Sequence, residues 1–205
     1  MPRAPRSPAE MRARLPACHP LSWYRPGRRV RVRDRMQRTS YVLAQRPGRA
    51  LGFRPEVSPA RMLALGVFEG KYLNDCMGEL PREWYARALR AGRLSPQGPD
   101  PALNALGVKS RLSLREWRAN GWIPAAPGDQ DVRGWFQWYA RYWLGRRQPA
   151  VDAVQIARWR AFARHRGAIR ASLRGRRPLS LAQMRAHRPR QRQALLQWAY
   201  NPFKV

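Results

Sequence analysis

After Asp152 the chain carries no carboxylate: its last 53 residues hold 13 arginine and lysine side chains and no Asp or Glu. Cations on a helix are ordinarily offset by acids three or four residues away. Within this region such pairing is impossible, so several of these groups must face solvent or an anionic partner. Residues 1–50 carry 13 basic and 2 acidic groups, and 51–152 carry 15 and 10, which brings the 205-residue chain to +29. A charge of that size opposes compaction unless counterions or a bound polyanion screen it. Only Lys71, Lys109 and Lys204 are lysine. A GC-rich coding bias accounts for that exchange of Lys for Arg, but not for the scarcity of acids.

The charge does not preclude a fold, because 44% of the residues are hydrophobic and can supply a core. No run of eighteen apolar residues exists, and the N-terminus lacks the apolar stretch of a secretory signal. A soluble, cytoplasmic protein is the expectation. Cys18 and Cys76 have no partner at metal-ligand spacing, so the expectation is two reduced thiols, no metal and no cofactor.

Residues 1–28 alternate Arg with Pro and read as a disordered basic arm. Arg29–Leu43 places Val30 and Val32 at period two between arginines, which suits one short strand or an extended arm. Helix signals follow. Ser58-Pro59 opens a helix over 59–65, Pro81 opens one through Arg90, and Ser113 with Glu116 forms a capping box. Asp131 can cap a helix running to about Leu144, with Gly145 behind it. A longer helix spans about Val151–Leu173, with a bend expected at Gly167. Ser180 with Gln183 makes another capping box, and Pro189 restarts a helix to about Tyr200. The fold class is therefore mainly α: a single helical domain of about six helices over 29–205.

The densest functional signal is DVRGWFQWYARYWLGRR from Asp131. Trp135, Trp138, Tyr139 and Tyr142 fall on one helical stripe, while Arg133, Gln137 and Arg141 fall on the opposite one. The aromatic stripe reads as core, or as a stacking platform for unpaired bases with nearby arginines on phosphates; the spacing favours core. Arg146 and Arg147 close this segment. In the C-terminal third, Arg158, Arg160, Arg164, Arg170, Arg190 and Arg192 are candidates for phosphate contacts. Arg190, Gln193 and Gln197 share a stripe suited to base edges in a major groove, in a possible helix-turn-helix with the 181–186 segment. Its bland counterpart is a solvated helix face.

Acid chemistry has one candidate location, where Glu69, Asp75, Glu79 and Glu83 lie within fifteen residues and Asp131 stands apart. Such a cluster can hold a divalent metal or act as a general base, and pairing with arginine is its competing role. No catalytic residue is assigned. His19, His165 and His187 support no nucleophilic arrangement, and no Gly-rich phosphate loop is present.

From about Asp34 the chain resembles a family of uncharacterised, mainly bacterial proteins. The matching strings are DRMQRTSYVL, LGVFEGKYLNDC, GELPREWY, ALNALGVKSRLSLREWRANGWI, DVRGWFQWYARYWLGRR, QIARWRAFARH and RPRQRQALLQWAY. The resemblance implies no activity and hence no catalytic residues, and Ala140 stands where the family string has cysteine. The expected function is nucleic-acid binding, to DNA or RNA, through the arginine-rich C-terminal surface. The alternatives are a metal- or carboxylate-dependent enzyme acting on nucleic acid and a tryptophan-rich protein-interaction module.

Overall fold

A computed structural model describes residues 4–48, 52–109, 114–121 and 131–204. Among them the chain is mostly helical. In order, the helices are α1 (Pro8–Arg14), α2 (Pro59–Ala64), α3 (Arg82–Arg90), α4 (Leu114–Ala119), α5 (Trp135–Trp143), α6 (Pro149–Phe162), α7 (Arg164–Ala171), α8 (Leu181–Ala186) and α9 (Pro189–Gln197). Strands β1 (Arg29–Arg33) and β2 (Arg38–Val42) pair antiparallel, so the region read as one strand is a hairpin. No helix of the described residues is long and apolar enough to cross a membrane.

Local chemistry sets most of the helix starts. The Ser58 hydroxyl accepts from the Arg61 amide with Pro59 in the first turn, and Ser180 and Gln183 form the full reciprocal box. Ser113 lies outside the described residues. Asp131 is not the cap of α5, because Gly134 occupies that position at φ +82° and the carboxylate is engaged elsewhere. The single helix expected over 151–173 is two. It breaks at Ala163 rather than Gly167, and Ile169 of α7 then packs with Leu195 and Tyr200 in a small second cluster.

The first 28 residues do not behave as the arm their composition suggests, although residues 1–3 lie outside the description. Ser7 caps α1, and Met11, Cys18 and Tyr24 are buried in the main core. Their sparse apolar groups suffice because the backbone is also tied down: Arg82 donates its amide to the His19 carbonyl at 3.0 Å. The Tyr24 hydroxyl likewise donates to the Glu79 carbonyl at 3.0 Å.

At the centre sits α5, with every residue from Trp135 to Tyr142 buried. A helix buried all round belongs in the middle of a core. Phe53 packs its ring against Trp138, Tyr139, Tyr142 and Trp159, with centroids 5.0–5.6 Å apart. The end of α5 is joined to the hairpin through Gly145, whose carbonyl accepts from the amides of Ala44 and Gln45. A Cβ at Gly145 would lie 2.0 Å from the Gln45 carbonyl oxygen, so only glycine permits this approach.

Met11→Ala discriminates a docked segment from a loose arm. Docking predicts a loss of about 2–4 kcal/mol in urea unfolding, the usual cost of truncating a buried methionine. A freely moving arm would leave the transition where it is.

Candidate nucleic-acid interface

Two populations of arginine divide this molecule, one internal and one outward. The internal set was legible as Arg133, Arg141 and Arg146 but was expected at the surface. All three are buried. Arg141 donates through Nε and Nη2 to Glu79, the latter at 3.0 Å, and through Nη1 to Asp131 at 3.1 Å. Arg146 grips both oxygens of Asp131 at 3.0 and 2.6 Å. Arg133 joins Asp34 at 3.2 Å to Asp75 at 2.8 Å. Tyr41 completes the centre, donating its hydroxyl to Glu79 at 3.0 Å while Arg141 and Arg146 lie 5.2 and 5.7 Å from its ring centroid.

The reason for the correction is electrostatic. Isolated charge is not tolerated inside a protein, whereas paired and hydrogen-bonded charge is. The polar stripe of α5 therefore turns toward the acid-rich segment that contains Asp75 and Glu79. Burial works against the charge on Arg141, but Glu79, Tyr41 and Asp131 around it together outweigh that effect and hold the guanidinium more firmly protonated than usual. Arg141 is thus a fixed internal cation.

The carboxylate cluster is accounted for in the same way. Asp34, Asp75 and Glu79 line a cleft of about 460 Å³ between the N-terminal segment, β1 and residues 74–79. Asp34, Cys76 and Glu79 offer atoms within 4.8 Å of one another, the kind of grouping that can hold a metal. Here both carboxylates already accept from guanidinium groups, and burial pushes the Cys76 thiol well up, away from the thiolate a metal requires. Glu69 is buried, with its amide donated to Asn104, and Glu83 is exposed beside Arg82, accepting from the Leu21 amide. Asp34, Asp75, Glu79 and Asp131 serve as an ion network.

Several other expected contact residues are also turned inward. Arg192 is fully buried, donating to the His187 carbonyl at 2.8 Å and to the Pro202 carbonyl. Gln193 is buried and accepts from the Leu106 amide at 3.3 Å, and Gln197 is buried as well. With two of its three residues inside, the Arg190, Gln193 and Gln197 stripe presents no groove-reading face. The cause is that α9 buries Leu195 and Leu196, and the adjoining polar positions follow them in. Arg147 is half-buried, 3.8 Å from the Tyr142 ring centroid and bonded to Gln45 at 2.7 Å.

Outward, α6 and α7 present Arg158, Arg160, Arg164 and Arg170, and Arg190 stands exposed at the start of α9. Arg160 also donates to the Gly52 carbonyl at 3.0 Å. Arg166 differs from its neighbours because Glu56, far away in sequence, reaches it at 2.5 Å. The structure adds cations that the sequence reading passed over: Arg174, Arg176, Arg177, Arg185 and Arg188 are all exposed. None of Arg164, Arg170, Arg174, Arg176, Arg177 and Arg190 has a carboxylate partner among the described residues. The missing acid after Asp152 was the signal for the whole group.

The aromatic residues are not a platform. Trp84, Trp135 and Trp138 are buried, and Trp23, Trp143, Trp159 and Trp198 are half-buried. Among the residues whose side chains are described no phenylalanine, tyrosine or tryptophan is exposed, which withdraws support from both base stacking and a tryptophan-rich docking patch. No protein-family model, no curated protein and no solved structure matches the chain.

Two expectations follow from the internal network. Glu79→Gln removes the charge that faces Arg141, and urea unfolding should show a loss of about 3–5 kcal/mol, as for a broken buried pair. Arg164→Gln on the surface should stay within about 0.5 kcal/mol of the parent. Burial, with Glu79 nearby, also raises the hydroxyls of Tyr24 and Tyr41. Their contribution is fully present below the ordinary tyrosine value of about 10 and declines as pH rises beyond it, so stability measured against pH should fall on the alkaline side.

Proposed function

We propose that this protein binds nucleic acid through its outward arginines, with phosphates as the principal contacts. One observation carries the reading: the fold takes acids inward and leaves cations outside. Asp34, Glu69, Glu79, Asp131 and Asp152 are buried, whereas Arg164 and Arg170 of α7, the arginines of the 174–177 stretch and Arg190 at the start of α9 face solvent without carboxylate partners among the described residues. Segregation of this kind leaves the surface field unneutralised, and a polyanion is the partner that gains most from it. Arginine suits the role because it stays charged and its planar fork fits a phosphate.

The contact set for this reading is Arg158, Arg160, Arg164, Arg170 and Arg190, extended by Arg174, Arg176 and Arg177. Arg133, Arg141, Arg146, Arg192, Gln193 and Gln197 leave it because they are buried. The aromatic residues contribute through the core that supports this surface.

The test is a salt titration of a fluorescent oligonucleotide, with log affinity followed against log salt. A steep linear fall is expected, and replacing Arg164, Arg170 and Arg190 together by Gln should lower the slope by up to about 2.7 if each meets one phosphate of a B-form duplex. Tight binding that is indifferent to salt, or a slope unchanged in the triple variant, would exclude this surface.

A further inference from the structure

We infer that the hairpin β1–β2 is a second contact element, which seats its arginine face in the major groove of duplex DNA. The inference rests on the nucleic-acid reading above and deepens it by naming the substrate class. Period-two alternation on β1 sends Val30 and Val32 into the core and leaves Arg29, Arg31 and Arg33 outside. In the observed register Arg29 lies opposite Val42, Arg31 opposite Ser40 and Arg33 opposite Arg38. The outer face therefore carries four guanidinium groups on a two-stranded ribbon. Arg33 and Arg38 form a directly opposed like-charge pair, an arrangement that destabilises an isolated hairpin. Among the described residues Arg31, Arg33 and Arg38 have no carboxylate partner.

This ribbon is held as a rigid element. Asp34, the one acid of the hairpin, turns inward: its Oδ1 accepts from the amides of Met36 and Gln37 at 2.7 and 3.1 Å, closing the turn, while Oδ2 accepts from Arg133. Tyr41 fixes the second strand from beneath through Glu79. The outer arginines thus sit on a scaffold anchored at both strands, and binding need not order the backbone first.

Dimensions and chemistry choose the ligand. A two-stranded ribbon fits the major groove of B-form DNA, whereas the deep, narrow major groove of A-form RNA excludes it. Alternate residues on a strand are about 6.6 Å apart, close to the rise of two base-pair steps, about 6.8 Å, so successive outward arginines meet every second step. Arginine in that groove pairs with the O6 and N7 edge of guanine. Single strands are disfavoured because no described phenylalanine, tyrosine or tryptophan is exposed to stack on bases.

The experiment compares the full chain with two triple variants, one carrying Arg31→Gln, Arg33→Gln and Arg38→Gln, the other Arg164→Gln, Arg170→Gln and Arg190→Gln. Each is titrated at several salt concentrations against a 20-base-pair DNA duplex, the RNA duplex of the same sequence and one DNA strand, with dimethyl sulfate protection of guanine N7 as the groove readout. Expected are preference of the parent for the DNA duplex, guanine N7 protection, and loss of both in the hairpin variant with its unfolding transition retained. A hairpin variant that keeps the parent's protection and salt slope while the second variant loses affinity overturns the hairpin assignment and leaves the nucleic-acid reading standing. Parent preference for the RNA duplex or the single strand also overturns it. Absence of salt-dependent binding to all three oligonucleotides overturns the inference and the reading together.

Discussion

The ion network around Arg133, Arg141 and Arg146 is the constraint on which the rest of the molecule depends. It joins parts of the chain that share no local pattern: Asp34 from the hairpin turn, Asp75 and Glu79 from the segment before α3, Asp131 ahead of α5, and the guanidinium groups of α5 and its flanks. Coulomb attraction in a low-dielectric interior is strong, but the cost of removing each charge from water is of comparable size. Net stability is therefore a poor account of why the network exists. Its clearer effect is on geometry, because a buried carboxylate without its arginine is so unfavourable that the hairpin, the 74–79 segment and α5 can combine in few other ways.

What the sequence revealed and what it concealed follow from that distinction. The cap at Ser58 was readable from the adjoining Pro59, and that at Ser180 from Gln183 three residues on. The aromatic stripe of α5 was readable as core from its spacing. The opposite stripe was not, since Arg133, Gln137 and Arg141 look like a solvated face until Glu79, 62 residues from Arg141, is brought against it. The same limit applies to Arg192, whose acceptors are backbone carbonyls, and to Met11, Cys18 and Tyr24, which fix a segment that composition alone would leave loose.

For the candidate surface, the legible part was a subtraction. No local motif marks Arg164 or Arg170, but the lack of acids after Asp152 meant that helix-internal pairing could not neutralise them. The structure narrows this further by showing which cations the remaining acids capture. Glu56 reaches Arg166 and no other residue of α7 has such a partner among the described residues. Hairpin arginines were visible as a period-two row, yet their meaning depended on the register, which sets Arg33 against Arg38.

Folding and surface charge are coupled through charge partition. Asp34, Glu79 and Asp131, drawn into the interior, each stabilise an internal guanidinium and, by the same step, cease to offset a cation at the surface. A core built on apolar contacts alone would have left those acids free to form surface pairs, which contribute little and screen the field. Because the outward groups are almost all arginine, their charge does not titrate within the range where proteins stay folded. The proposed association with a polyanion would then be governed by ionic strength through counterion release rather than by pH. The network that specifies the fold also leaves the surface charge without its acids.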